Sequence, residues 1–308
     1  MIKVFIDGQA GTTGLQLKKK LTAHPYVELI EIEEEKRKNT DERMKLMNSA
    51  DVVFLCLPDA AAIEAAKLVT NPETLIIDAS TAHRTDDSWT YGFPELSCEQ
   101  RDKIKNSKRI ANPGCHATGF ISIIYPLVSG GIMGDNYPVT AHSITGYSGG
   151  GNKMIAEYED VDRAPEYDSP RQYGLTQMHK HLPEMKKITG LMHEPVFNPI
   201  VADFHSGMAV SVPIFSDMLK TKMSLYDMKR YFARFYADSK FITVHSGPEG
   251  GFLSALGLQG TNNLRIYICG NDDRMTVTAV FDNLGKGASS AAIQNMNIAM
   301  GFDEATAL

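Results

Sequence analysis

The sequence predicts an α/β plus α+β chain: a doubly wound α/β domain, then a second domain on a mostly antiparallel sheet. Short apolar runs of β type alternate with helical segments through residue 111, as in a parallel sheet covered on both faces. The triplet Gly8-x-x-Gly11-x-x-Gly14 sits directly between the first strand and the first helix, a place where glycines let a backbone turn approach a pyrophosphate. Beyond residue 135, strands dominate with few helices between them. The first domain therefore reads as Rossmann-like and dinucleotide-binding.

In chain order, residues 2–6 form a buried first strand, and Leu15 to Leu21 follow at helical spacing. Val27 to Ile32 is a second strand, Asp51 to Pro58 a third, Ala60 to Val69 an Ala-rich helix, and Leu75 to Asp78 a further strand. Arg109-Ile110-Ala111 is a short strand leading toward Cys115. In the second half, 139–145, 209–215, 241–244, 264–269 and 275–281 read as strands. Met223 to Ala237 is an amphipathic helix with Leu225, Met228 and Phe232 on one side, and Asp160 to Gln172 a charged surface loop. Ala288 to Met300 is helical and returns to the first domain. The expected division is 1–115 completed by 287–308, and 116–286 for catalysis and oligomerisation.

The 308 residues suffice for two domains, and 43% hydrophobic with 22% charged residues is a globular composition. No run of 18 apolar residues suggests a membrane span, and the N-terminus shows no signal-peptide cleavage pattern. Four scattered cysteines without a C-x-x-C pair argue against a disulfide framework or zinc ribbon and suit a reducing cytoplasm. A net charge of −6 argues against general nucleic-acid attraction. The charge and the apolar strands of the second domain suggest a homo-oligomer, a dimer or tetramer.

Chemistry concentrates at Cys115, in Asn112-Pro113-Gly114-Cys115-His116, between a turn and an apolar helical run. A thiol there meets unpaired N–H groups and the positive helix end, which favour the thiolate and can stabilise an oxyanion. The alternative is an inert buried cysteine. His179-Lys180-His181-Leu182-Pro183-Glu184 is the second cluster. It can be read as a zinc half-site, as exposed surface histidines, or as a general base with Glu184 orienting it. Zinc lacks a third ligand at a familiar spacing, so no metal is expected. Pro183 suits the first turn of a helix, which puts His181 near the N-cap and Glu184 in the first turn.

For the dinucleotide, Gly8, Gly11, Thr12, Thr13 and Gly14 are the candidate pyrophosphate contacts, against the alternative of a plain tight turn. Glu31 and Glu33 to Glu35 could hold a ribose, whereas Lys36 and Arg37 could hold a 2′-phosphate; the competing reading is a solvated charged loop, the more common fate of such a run. Arg84, after Ser80 and Thr81, offers a guanidinium fork for a phosphate or else a surface ion pair. Tyr147 to Asn152 is either a donor-rich pocket loop or a hairpin tip. Gly285-Lys286-Gly287 could present N–H groups to the cofactor with Asn283 near the nicotinamide amide, or could simply cap the last helix.

Several ordered stretches carry a resemblance over essentially the whole chain. They are Phe5 to Gly14, Asp78-Ala79-Ser80-Thr81-Ala82-His83-Arg84-Thr85, Tyr91 to Leu96, Asn112-Pro113-Gly114-Cys115, His179 to Glu184 and Asn283 to Ala288. Together they resemble the shorter, type 2 form of N-acetyl-gamma-glutamyl-phosphate reductase, similar in architecture to aspartate-semialdehyde and glyceraldehyde-3-phosphate dehydrogenases. One departure is His116, where the family usually has an aromatic residue such as Tyr. The resemblance implies NADP as cofactor, with Ser80 among its contacts, and an acyl phosphate reduced to a semialdehyde through a Cys115 thioester. It implies His181 as acid/base with Glu184 behind it, His179 and Tyr173 as substrate contacts, and Asn112 placing Cys115 or the substrate carbonyl. The competing readings are a relative acting on another acyl phosphate, and a non-enzymatic NADP-binding redox sensor with Cys115 as its switch.

Overall fold

The computed structural model describes residues 1–308 apart from the side chain of Glu249. The chain forms two compact units, Met1–Gly114 with Ala288–Leu308, and Cys115–Gly287. Cys115 thus opens the second unit and Gly287 closes it, one residue away from each boundary expected of the sequence.

The first unit runs β1 (Ile2–Asp7), α1 (Thr12–Thr22), β2 (Val27–Ile30), α2 (Thr40–Ser49), β3 (Val52–Leu55), α3 (Asp59–Leu68), β4 (Leu75–Asp78), β5 (Thr90–Tyr91), α4 (Cys98–Asn106) and β6 (Arg109–Ala111). Its six strands lie in the order β2-β1-β3-β4-β6-β5, and every pairing is parallel. Strands β3 and β4 are buried at every residue, which is why they read as unbroken apolar runs. Val4 and Ile6 pack into one core with Leu17, Phe54, Ile293 and Met296; Phe5 points the other way, toward Met47, Val53 and Ile76. The order reverses between β1 and β3, and the carboxyl ends of strands at such a reversal flank the crevice where α/β sheets take their ligands.

Helices α2 and α4 escape the periodicity reading because each buries a single residue, Met47 and Ile104 respectively. Their starts are nevertheless specified. The Asn39 side chain accepts from Glu42 N–H at 3.1 Å and Ser97 Oγ from Gln100 N–H at 3.0 Å.

The second unit runs α5 (Cys115–Ser129), β7 (Thr140–Gly146), α6 (Gly151–Glu159), β8 (Arg171–Gln172), α7 (Leu182–Thr189), β9 (Val196–Ala202), β10 (Met208–Phe215), α8 (Leu225–Phe235), β11 (Ile242–His245), β12 (Leu264–Gly270) and β13 (Arg274–Phe281). The seven strands are ordered β11-β12-β13-β10-β7-β9-β8. Pairings β12–β13, β13–β10, β10–β7 and β9–β8 are antiparallel, whereas β11–β12 and β7–β9 are parallel. The sheet is therefore mixed with an antiparallel majority. Strand β9 has no counterpart in the sequence reading, because Asn198-Pro199 breaks its apolar pattern. Arg171 and Gln172, expected in a loop, form the edge strand β8. Residues 147–150 are not a hairpin tip but a 3₁₀ turn opening directly into α6.

Helix α5 packs on β10 and β13, and α8 on β11 and β12. Val210, Val212 and Ile214 alternate inward on β10, with Val277 and Ala279 inward on β13. Some apolar side chains of this unit's strands stay exposed, Ile144 at 41%, Val196 at 54% and Phe215 at 49%. A π-helical turn, Gly285–Ser289, precedes α9 (Ser290–Ala299), which completes the first unit. No helix is long and apolar enough to cross a membrane among the described residues.

Candidate active site

The glycine turn of the first unit has the geometry of a ligand cradle. Gly8 has φ +92°, and a Cβ there would meet the Cys56 carbonyl at the end of β3. A Cβ on Gly14 would meet the Gly8 carbonyl, so α1 sits tightly on the turn. Gly11 differs: it is the α1 N-cap, without a side-chain cap, and the nearest atom to an added Cβ is 3.6 Å away. Thr12 and Thr13 open the helix. The N–H groups of this helix end and the open space at Gly11 fit a pyrophosphate.

Around that turn the structure places groups the sequence left unpaired. Asp7, at the end of β1, receives Arg43 Nε at 3.2 Å and Nη2 at 2.5 Å. Burial, with the Asp78 and Asp7 carboxylates, pushes the Cys56 thiol far up, which makes it the unreactive kind of cysteine. Lys36 and Arg37 are partnered by neighbouring acids, Lys36 with Glu33 at 2.7 Å and Arg37 with Glu34 at 2.5 Å, all exposed. In this arrangement they form the solvated charged turn.

Ser80 and Arg84 are buried, each 7% exposed. Ser80 Oγ donates to Asp78 Oδ2 at 2.7 Å, and His83 Nδ1 lies 2.6 Å from the same oxygen while its ring stacks on Trp89. Arg84 Nε donates to the Asn112 carbonyl at 2.8 Å and Nη2 to the Ala79 carbonyl at 3.0 Å. Arg84 is thus not a surface residue, and these two donors tie two strand-end loops together. Asn112 is 1% exposed; its Nδ2 donates to the Ala288 carbonyl at 3.0 Å and its Oδ1 accepts from Asn295 Nδ2 at 3.2 Å. Its amide therefore fixes the turn before Cys115, and Asn295 of α9 is a partner that no local motif announces.

In the second unit, half-buried Cys115 is the first residue of the fifteen-residue helix α5. A Cβ on Gly287 would come within 2.9 Å of Cys115 Cβ, so the glycine-rich turn before α9 passes directly over the cysteine. The next residue, His116, is 3% exposed. Its Nδ1 lies 2.7 Å from Ser143 Oγ and its Nε2 2.7 Å from the Tyr173 hydroxyl. Burial and the neighbouring His179 push His116 down to about 3, so it is neutral at physiological pH. Burial and the nearby Cys115 push the Tyr173 phenol far up.

His179 and His181 join the same group, their rings 5.3 and 5.6 Å from that of His116 and 4.8 Å from each other. His179 Nδ1 accepts the His181 backbone N–H at 3.2 Å, and burial with Lys180 lowers its pKa to about 4. That hydrogen bond occupies one imidazole nitrogen, which disfavours the zinc half-site. His181 is the N-cap of α7, Pro183 lies in the first turn, and Glu184 is 1% exposed three residues on. The bland alternative for His181 fails on burial, since it is 6% exposed. The structure thus gathers Cys115, Tyr173, His179 and His181 in one unit.

Asn283 and Gly285 serve the framework here. Asn283 Oδ1 accepts from Gly207 N–H at 2.8 Å, and its Nδ2 donates to Ser148 Oγ at 3.1 Å. Gly285 abuts the Thr261 carbonyl where any side chain would collide. Ser143 is the residue the sequence reading missed. Its only signal is a polar residue at an inward position of a strand otherwise lined by Ala141 and Thr145.

A family model described as "Semialdehyde dehydrogenase, NAD binding domain" matches residues 3–107, and one described as "Semialdehyde dehydrogenase, dimerisation domain" matches residues 115–283. The chain is 43% identical to N-acetyl-gamma-glutamyl-phosphate reductase 2 of Nostoc sp., covering 98% of both chains. It is 42% identical to N-acetyl-gamma-glutamyl-phosphate reductase of Sinorhizobium medicae, covering 96% of this chain and 98% of that one. Among solved structures, aspartate semialdehyde dehydrogenase from Francisella tularensis superposes with a TM-score of 0.73 at 15% identity, over 97% of this chain and 100% of the other. The enzyme from Candida albicans, solved with NADP, superposes at 0.66 and 15% identity, over 97% and 98%. At that identity the likeness is one of fold.

Proposed function

The chain belongs to the N-acetyl-gamma-glutamyl-phosphate reductase family, and from that premise we propose that it reduces N-acetyl-L-glutamyl 5-phosphate to the 5-semialdehyde with release of phosphate, a step of arginine biosynthesis. The observation that carries the reading is Cys115 at the first position of α5, in one unit with a neutral His116, Tyr173 and the His179–His181 pair.

The reaction runs in two stages. The Cys115 thiolate attacks the acyl carbon; the C–O bond to phosphate breaks and inorganic phosphate leaves, giving a thioester. NADPH, when bound along the Gly8–Gly14 turn, supplies the hydride that reduces it. The resulting thiohemiacetal then collapses, its C–S bond breaks, and the aldehyde departs as the thiolate is restored. His181 takes the Cys115 proton at the outset and manages the proton on the substrate oxygen, with Glu184 in the same helical turn to orient it. His179, with Nδ1 committed to the His181 N–H, presents Nε2–H as a donor to the substrate, and Tyr173 presents its hydroxyl. Asn112 and Arg84 fix the turn that delivers Cys115; Lys36 and Arg37 meet the 2′-phosphate by exchanging their glutamate partners for it. Ser80, Asn283 and Gly285 shape the cofactor side through the loops they hold.

The four free cysteines suit a reducing, cytoplasmic compartment. Exposed Ile144, Val196 and Phe215 suit burial against a second copy. The test is phosphate-dependent reduction of NADP with N-acetylglutamate 5-semialdehyde. Wild type is expected to turn over and Cys115→Ala to be inactive. Turnover only with another semialdehyde would reassign the substrate; tight cofactor binding without turnover on any semialdehyde would make Cys115 a redox switch.

A further inference from the structure

The carboxyl ends of β1 and β4 each carry a buried acid. Asp7 is 6% exposed and Asp78 is fully buried, and both stand level with Leu55 of the strand between them. Residues in one such row face the same side of the sheet. Asp78 is held within its own loop by Ser80 and His83. Asp7 takes its partner from another element. Arg43 of α2 donates from Nε to Oδ1 at 3.2 Å and from Nη2 to Oδ2 at 2.5 Å. The Arg43 side chain is 18% exposed, so both charges of the pair are largely out of water. The residue after Asp7 is Gly8, where the turn begins whose N–H groups and open space fit a pyrophosphate.

We propose that Arg43 is a positioning residue for the dinucleotide: its pair with Asp7 cancels the negative charge that stands one residue before the Gly8–Gly14 turn, so that the turn accepts an anionic pyrophosphate. A carboxylate this deeply buried is poorly screened by solvent and salt. Left alone, it would repel the two further negative charges that arrive beside it. The bidentate guanidinium offsets that repulsion before the cofactor binds. The two partners are therefore unequal. Loss of Arg43 leaves a buried anion uncompensated next to an anion site. Loss of the Asp7 charge leaves a cation there, which favours the ligand. A tether that only fastened α2 to β1 would show no such asymmetry, since either loss would break it.

The inference rests on the glycine turn as the cofactor site, and its test needs no acyl phosphate. The substrate-free enzyme is titrated calorimetrically with NADPH and, separately, with NADH, and circular dichroism checks that each variant is folded. Arg43→Gln is expected to weaken the binding of both dinucleotides about ten-fold or more, because both carry the pyrophosphate. Asp7→Asn, which keeps an oxygen for Arg43 Nε, should bind both at least as tightly as wild type. The double variant Arg43→Gln/Asp7→Asn should return to within about three-fold of wild type. Arg43→Lys, which keeps the charge and gives up the fork, should lose less than Arg43→Gln. A loss that the double variant does not recover, or looser binding in Asp7→Asn, reduces the pair to a tether and overturns the proposal. A loss confined to NADPH overturns it as well, by making Arg43 a contact of the 2′-phosphate. If Arg43→Gln does not fold, Arg43→Met carries the same comparison. Binding weakened by Gly11→Ala and unchanged by Arg43→Gln refutes this inference alone; binding unchanged by either moves the pyrophosphate away from the turn and refutes the cofactor reading with it.

Discussion

His179 Nδ1 accepts the backbone N–H of His181 at 3.2 Å, so the two histidines of the His-x-His motif are unequal. The hydrogen bond commits one nitrogen of His179 and leaves Nε2–H as a donor, while a pKa near 4 keeps the ring uncharged above pH 5. His181 stands at the α7 N-cap. Substitution should separate them. His181→Asn is expected to lower kcat at least about 100-fold, as loss of a general base does, with little change in NADPH affinity. His179→Gln is expected to act mainly on KM for the semialdehyde. Steady-state kinetics of both variants check this; equal losses in kcat would return the base role to the pair.

The glycine turn yields a second contrast. Gly8 has φ +92° and its missing Cβ would collide with the Cys56 carbonyl, whereas an added Cβ at Gly11 has 3.6 Å to the nearest atom. Gly8→Ala should therefore destabilise the unit by about 1–3 kcal/mol through strain alone, seen as a lower denaturant midpoint. Gly11→Ala should leave that midpoint near wild type and yet weaken NADPH binding about ten-fold or more, because the methyl occupies the approach to the helix N–H groups. Unchanged binding in Gly11→Ala would move the pyrophosphate away from this turn.

These contrasts mark what the sequence could tell. Patterns set by local physics were legible: the unbroken apolar runs of β3 and β4, the Gly-rich turn after β1, and Pro183 placing His181 at a helix start. Relations set by tertiary contact were not. Asn112 meets Asn295 across 183 residues, and His116 meets Ser143 across 27; nothing in either neighbourhood announces the partner. Arg84 illustrates the same limit. Its residue type suggested a phosphate or a surface ion pair; it is buried, and two of its donors reach the carbonyls of Asn112 and Ala79. Helices α2 and α4 hid because a helix burying one residue leaves almost no period to read.

Cofactor choice gives a third expectation. Lys36 and Arg37 lie in exposed pairs with Glu33 and Glu34, and such solvent-screened pairs contribute little to stability. The double variant Lys36→Ala/Arg37→Ala should therefore unfold at nearly the wild-type temperature. If these cations meet the 2′-phosphate, the ratio of kcat/KM for NADPH over NADH should fall about ten-fold or more. An unchanged ratio would leave them as a solvated turn and send the search for the 2′-phosphate contact elsewhere on the β2–α2 connection.

Acid stability follows from His116. Its pKa is about 3 in the folded chain against an ordinary value of 6.5. Between those values the unfolded chain binds a proton there that the native chain does not, so stability declines as pH falls below about 6.5 and the decline from this residue ends near pH 3. The slope from one such group approaches about 1.4 kcal/mol per pH unit. His116→Gln removes the titrating group and keeps polar atoms for Ser143 and Tyr173. Its unfolding free energy, measured in urea from pH 7 to pH 4, should fall less steeply than that of wild type. Parallel slopes in the two proteins would mean that His116 takes up its proton in the native chain over the same range as in the unfolded one.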